Sequence, residues 1–544
     1  MKLRYKILFI AVALVGLSSC NDFLETIPDT RVYLQNLDQL EQLLVSGYTA
    51  NSYTVVGEIS SDNVDDLNAP SSSGRFNYSP ASRYHEQLYR WDDVDLDISD
   101  DDSPSSLWQG LYGAIAVANA VIEVVDEIEA TGLIEGQPMD IRDKARLAAI
   151  KGEAHMIRAY HHYILAQMFC MPYRGPELSK QELGLPYATE VETRLYPKYE
   201  RGTLEELYQN IENDLLIGLA NISDDFYEVP KYHFNVASSN AFAARFYLAK
   251  REYDKVVEYA TASFKGKDPA AMRNDFWDMY EEFYDSDEGA RYYTSVERPG
   301  NYMMFDTYCT YLRNWGYRFW TARDGANCTV LGPGPSWSTS SYLPAFGYCL
   351  YGSEAYGYIL YPNCWEQFEY TDKIAGIGYV HMVRNEFTSQ ETLLFRAEAN
   401  LFLGNIDAAF DDLYLWNHEH IMQGDMSEKN GNMKELEKDQ ITSFYKRSDI
   451  GGINKKFHID EVCPSDKYHL TSDIEPYLQC VQHFRRIQTV HMGQRWFDIK
   501  RYGFEVTHLW GKDEKVVLKT LDKRYALQIP AEVIGAGLQP NPRD

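Results

Sequence analysis

The sequence predicts an all-α scaffold of about four tetratricopeptide-like helical pairs carrying long irregular, loop-rich inserts. Two observations lead there. Apolar residues recur at helical spacing in segments that close into tight hairpins with alternating small and large side chains. Between those segments, long stretches rich in Gly, Ser, Asn, Asp and aromatics lose helical periodicity altogether.

The chain begins with a targeting segment over residues 1–19. Lys2, Arg4 and Lys6 make a positive start, and Ile7 to Leu17 is an apolar run too short to span a bilayer. It ends in Leu17-Ser18-Ser19-Cys20, small residues before a thiol, which suits cleavage with lipid attached to the Cys20 sulfur. Several acyl chains on one cysteine give stable anchoring. No later stretch is apolar and long enough to cross a membrane.

Leu37, Leu40, Leu43 and Leu44 share one helical face in the entry region. From Gly57 to Pro104 the pattern turns irregular, with an acidic run from Asp92 to Asp102. Helical spacing resumes at Leu107, Trp108, Leu111, Ile115 and Ala118, and again from Arg142 to Phe169. Thr203 and Glu206 form a capping box, hydroxyl to an orphan N–H and carboxylate back to the cap. Two hairpins follow: Ala241–Ala249 with Tyr253–Phe264, and Glu391–Leu403 with Ile406–Trp416 about Gly404-Asn405. Between them, residues 266–380 form an aromatic, loop-rich insert, and another irregular block begins near Gly424.

Composition narrows the function. A net charge of -28 argues against a nucleic-acid footprint and disfavours a polybasic membrane patch. Aromatics make up 14% of the chain, with 42 Tyr and 10 Trp, enough for rings that stack on flat ligands as well as rings that fill a core. Apart from Cys20 there are seven cysteines, so at least one has no partner within the chain. None has C-x-x-C spacing. Buried thiols are the preferred reading, and one or two disulfides between Cys309 and Cys364 are the alternative.

No catalytic signature stands out: no G-x-S-x-G, no Walker A, no H-E-x-x-H. No cofactor or metal is expected. His161 and His162 diverge by about a hundred degrees around a helix and cannot face one metal; they read, with His155, as interior residues. His418 and His420 read as a solvated helix end. The one constellation with binding chemistry is the insert. Tyr308, Trp315, Tyr317, Trp320 and Trp337, with Asn314, Arg323, Asp324 and Asn327 as hydrogen-bonding neighbours, suit a sugar's apolar face and its hydroxyls. Trp91, flanked by Arg90 and Asp92, is a further candidate. The competing role for each ring is to pin a long loop to the helices.

Several segments resemble one family. Cys20-Asn21-Asp22-Phe23-Leu24-Glu25, Gly152-Glu153-Ala154, Arg158-Ala159-Tyr160, Met171-Pro172-Tyr173, Gly184-Leu185-Pro186, Arg201-Gly202-Thr203, Arg396-Ala397-Glu398-Ala399, Leu527-Gln528-Ile529-Pro530 and, most specific, Gly493-Gln494-Arg495-Trp496-Phe497-Asp498-Ile499-Lys500-Arg501 look like SusD/RagB-family nutrient-binding outer-membrane lipoproteins. His155 and Cys170 depart from residues frequent in that family.

The resemblance implies that residues 20–544 form a single SusD-like unit. Its parts would be an N-terminal helical part (20–265, with the excursion 57–104), the insert (266–380) and a C-terminal helical and tail part (381–544). It implies a surface-exposed lipoprotein, anchored at Cys20 in the outer membrane, that captures oligosaccharide for a SusC-like TonB-dependent transporter and is not an enzyme. Peptide capture, as in RagB-like members, is the alternative, and a surface glycoside hydrolase a remoter one. The Arg495–Arg501 motif is implied to be structural, with Asp498 paired to Arg495 or Arg501.

Overall fold

The helical pairs form where the apolar stripes place them. The computed structural model describes residues 36–68, 81–95, 100–192, 198–272, 286–314, 317–330, 332–337, 351–353, 358–360, 365–421 and 435–543. The targeting segment and Cys20 lie outside the described residues.

Helix α1 (Leu37–Val45) is capped by Asn36, whose side chain accepts from the Gln39 N–H at 3.0 Å. The stretch read as irregular contains half of α2 (Thr54–Ile59) and all of α3 (Arg83–Arg90). Both are too short to show helical period in the sequence. Two long helices follow, α4 (Pro104–Thr131) and α5 (Ile141–Phe169), and α5 packs between α4 and α6 (Leu204–Asn221). The close approach of α5 to the end of α6 needs a glycine. A Cβ on Gly152 would stand 2.7 Å from the backbone of Asn221 and Ile222. The capping box forms as expected: the Glu206 N–H donates to Thr203 Oγ1 at 3.1 Å and the Thr203 N–H to Glu206 Oε2 at 2.8 Å.

Helices α7 (Val236–Lys250) and α8 (Tyr253–Ser263) make the first tight hairpin, turned by Arg251 at φ 62°. Helices α9 (Ser389–Phe402) and α10 (Ile406–His420) make the second, turned by Gly404 at φ 81°. α8 lies on α9, and α9 on α11 (Glu475–Gln488), so the pairs stack side by side. α12 (Arg495–Tyr502) closes the scaffold against α2. The end of α10 is not solvated: Glu419 and His420 are buried, and the His420 ring stacks on Trp416 with centroids 4.0 Å apart. Aromatic packing against α11 covers this terminus, which charge content alone marked as exposed.

Short strands tie the inserts down. β1 (Asp65–Asp66), β2 (Asn301–Thr307), β3 (Phe319–Trp320), β4 (Gln367–Asp372), β5 (Ile377–Thr388), β6 (Val506–Trp510) and β7 (Glu514–Leu518) pair antiparallel as β1–β3, β2–β5–β4 and β6–β7. The insert is thus not structureless: it carries a three-stranded sheet.

Buried ion pairs lock the motifs that carried the family resemblance. Glu153 accepts from the Tyr48 hydroxyl at 2.5 Å, the Tyr227 hydroxyl at 2.9 Å and pairs with His233 at 2.8 Å. Asp214 holds Arg158 and His155, each at 2.7 Å. These partners keep its carboxyl low, at about 2, against the opposing effect of burial. Arg245 bridges Glu386 at 2.5 Å and Glu391 at 2.6 Å. In α12, Asp498 pairs with Arg485 at 3.1 Å and Arg501 at 3.2 Å, while Arg495 reaches Asp62 at 2.8 Å. Lys500 donates to the Cys170 carbonyl at 2.6 Å, at the end of α5. Such groups cost several kcal/mol each to bury unpaired, so the motif's charge density is structural.

Candidate functional site

The aromatics singled out by the sequence separate into two sets. Trp91 ends α3 in a left-handed conformation, φ 57°, and its indole N–H donates to the Ser60 carbonyl at 2.9 Å. Its ring stacks on His508 at 4.3 Å. His508 stacks on Tyr89 at 4.1 Å, and Tyr89 on Phe319 at 4.5 Å. Four rings from three distant segments form one pile. Trp320, in β3, is fully buried and stacks on Tyr311 at 4.3 Å, with the His491 ring 5.2 Å away. Trp337 is buried too, and its N–H donates to the Gly332 carbonyl at 2.9 Å. These three tryptophans join loops to helices and turn no open ring face to solvent.

Tyr308 and Tyr317 differ: they are 54% and 39% exposed. Asn314 lies in a 3-10 turn and Arg323 opens a short helix, but their side chains are outside the described residues, as is Trp315 entirely.

Tyr308 follows the last residue of β2, held by its N–H to the Ala50 carbonyl at 3.0 Å. Beside it lies the outer end of the β2–β5–β4 sheet. In β5, Met382 opposes Thr307, and His381 opposes Gln367 of β4. Directly opposed residues in an antiparallel pair share a face. One face therefore carries Asp306, Gln367, Glu369, Tyr379 and His381. The other carries Phe368, Tyr370 and Val380. On the first, His381 Nδ1 bonds Asp306 Oδ1 at 2.6 Å, and the Tyr379 and His381 rings are 5.5 Å apart. On the second, Phe368 and Tyr370 meet edge-on at 4.8 Å. Gly378 permits this: a Cβ there would come 2.7 Å from the Phe368 ring. Phe368, Tyr370 and Tyr379 are all exposed.

The sheet end thus offers solvent-facing rings beside carboxylates and an imidazole. Rings take an apolar C–H face, and carboxylates accept hydroxyl protons. Sequence reasoning passed over Asp306, Phe368, Glu369, Tyr370, Tyr379 and His381. Their signal was the alternation in Phe368-Glu369-Tyr370-Thr371-Asp372 and Ile377-Gly378-Tyr379-Val380-His381, which marks a hairpin.

No group of three or more His, Cys, Asp or Glu suited to a metal occurs among the described residues. A small cavity of about 30 Å³ lies within the scaffold, lined by Tyr163, Arg245, Glu391, Arg485, Asp498 and Arg501 among others. Its walls are the ion pairs described above, so it belongs to the scaffold.

Known proteins fit this architecture. A family described as "SusD-like_3: Starch-binding associating with outer membrane" matches residues 22–248. That match covers the N-terminal helical part of the chain, up to the α7 helix. Solved structures agree over nearly its whole length. A SusD superfamily protein from Bacteroides vulgatus ATCC 8482 is 18% identical, with TM-score 0.61, covering 93% of this chain and 99% of its own. One from Bacteroides thetaiotaomicron VPI-5482 is 18% identical, with TM-score 0.58, covering 93% and 100%. A putative sugar binding protein from Bacteroides vulgatus ATCC 8482 is 18% identical, with TM-score 0.61, covering 94% and 99%. At that identity these likenesses establish the shared fold. No curated protein matches the chain. The SusD-like family is described as associating with the outer membrane, and no helix among the described residues is long and apolar enough to cross one.

Proposed function

We propose that this SusD-like chain is a surface-exposed lipoprotein, anchored through Cys20, that captures oligosaccharide and passes it to a SusC-like TonB-dependent transporter without cleaving it. One observation carries the ligand reading. The aromatics at the outer end of the β2–β5–β4 sheet, with Tyr308 beside them, face solvent, while the charged scaffold motifs are engaged internally. Tyr308 and Tyr379 are the rings proposed to stack on sugar, with Asp306, Glu369 and His381 as hydrogen-bonding partners and Tyr317 as an outlying ring. The leader and the small residues before Cys20 support the anchor. Of the two exposed carboxylates beside the rings, Asp306 is already bonded to His381 at 2.6 Å, which supports binding without hydrolysis.

The test is a glycan array probed with the full chain, followed by calorimetry and chromatography of the bound oligosaccharide. Binding that leaves the glycan intact, weakened by Tyr379→Ala and Tyr308→Ala, is expected. Peptide binding with no glycan binding overturns the ligand reading. Glycan cleavage that tracks protein concentration overturns the non-catalytic one. Cys20→Ala is expected to abolish lipid labelling and release the chain from the outer membrane; unchanged fractionation overturns the anchor.

A further inference from the structure

We infer that the sheet end takes neutral glycans and turns away those bearing uronate or sulfate. The inference rests on the glycan-capture reading and concerns which class of glycan that site admits.

On the face that carries Tyr379, Asp306 is about half exposed and Glu369 is open to solvent. Asp372, at the end of β4, is exposed as well, its carboxylate accepting from the Ile374 and Ala375 N–H groups at 2.9 and 3.0 Å. Among the described strand residues this face carries no arginine or lysine, and the arginines nearby are paired with carboxylates. Arg313 pairs with Glu366, next to Gln367, at 2.7 Å. His381 gives Nδ1 to Asp306 at 2.6 Å. Arg384, further along β5, is buried against Glu386 at 2.7 Å. Lys373 sits in the turn beyond the rings, beside Asp372.

Recognition of a carboxylate or sulfate normally uses an arginine or lysine able to offer its donors to the ligand. Arg313 would have to surrender Glu366 first. Glu369 and Asp306 instead present acceptors, which suit the hydroxyls of an uncharged sugar stacked on Tyr379 or Tyr308. A uronate stacked on Tyr379 would lie beside Glu369, the residue opposed to Tyr379 across the sheet, with Asp306 further along the same face, inside the field of a chain whose net charge is -28. Like charges at such separations disfavour binding by about tenfold or more at low salt, and the effect shrinks as salt screens it.

The experiment is calorimetric titration of the full chain with matched pairs drawn from the array's best binders, each pair a neutral oligosaccharide and its uronate- or sulfate-substituted form. The expected result is binding of the neutral member and at least about tenfold weaker binding of the acidic one in 20 mM salt, narrowing at 500 mM. Glu369→Lys is expected to cut that discrimination by threefold or more. An acidic member that binds as well as or better than its neutral partner overturns the inference and leaves glycan capture standing. Discrimination that Glu369→Lys does not move also overturns it, since the selecting charge then lies off this face. Failure of every glycan, neutral and acidic, sinks the glycan reading and this inference with it.

Discussion

The pile of Phe319, Tyr89, His508 and Trp91 and the exposed end of the β2–β5–β4 sheet are both aromatic-rich, yet they are opposites in chemistry. In the pile every ring has a ring against it, and the Trp91 N–H is spent on a backbone carbonyl. At the sheet end, Tyr379 has only the His381 ring beside it, and Tyr370 only the edge of Phe368, among the described ring contacts. The difference teaches that aromatic density does not mark a binding surface; the number of faces already covered does. A buried aromatic stabilises the fold by the area it removes from water, whereas a half-open one keeps that area for a ligand.

Four measurements test this contrast. The largest effect is expected from Trp320→Ala, which empties a fully buried site between Tyr311 and His491. Urea denaturation should show a loss of roughly 3–5 kcal/mol. Glycan affinity of the remaining folded protein should be unchanged; a specific loss of affinity at full stability would place Trp320 in the binding surface.

The second concerns pH in the buried region. Glu58 accepts from the His491 N–H at 2.9 Å, the Gly493 N–H at 3.1 Å and the Asn63 amide at 3.1 Å, beneath the Trp320 stack. Burial raises its carboxyl from 4.5 to about 7, against the pull of those donors. The folded chain therefore keeps this proton over a range in which the unfolded chain has released it. The favourable contribution is complete below the unfolded value of 4.5 and is lost as pH rises toward 7. Glu58→Gln should remove that slope. The stability of the parent relative to the variant should fall by on the order of 1–3 kcal/mol between pH 5 and pH 8. Parallel stability curves would show that Glu58 is ionised in the fold.

Third, Tyr379→Ala should leave the denaturation midpoint nearly where it was, within about 0.5 kcal/mol, because the ring is exposed. It should weaken glycan binding by about tenfold, roughly 1.4 kcal/mol. A large drop in stability with intact binding would make it a packing residue like Trp320. The smallest effect is expected from Trp91→Phe, which keeps a ring on His508 but orphans the Ser60 carbonyl; about 1 kcal/mol of stability should go, and no affinity.

Much of the scaffold was legible. Thr203 and Glu206 sit where a capping box must, and Gly404 at φ 81° turns the α9–α10 hairpin as its position between two apolar runs implied. The sheet was not. The inner half of β5, from Met382 to Thr388, is buried at every residue, so no alternation shows there, and its outer half was submerged in a segment read as aromatic loop. The helix end at Glu419 and His420 was misjudged for a related reason: two imidazoles and a carboxylate signal water unless a partner elsewhere covers them, and α11 does.

Where helices start, stop and turn back is set locally, because caps, hairpin glycines and the 3.6-residue stripe act between neighbours along the chain. Which aromatics bind loops and which face solvent depends on contacts between distant segments. Trp91 meets His508, Glu58 meets His491 and Asp306 meets His381 across separations that leave no local pattern. Burial is a property of where distant segments come to rest, and a ring carries no mark of it until they do.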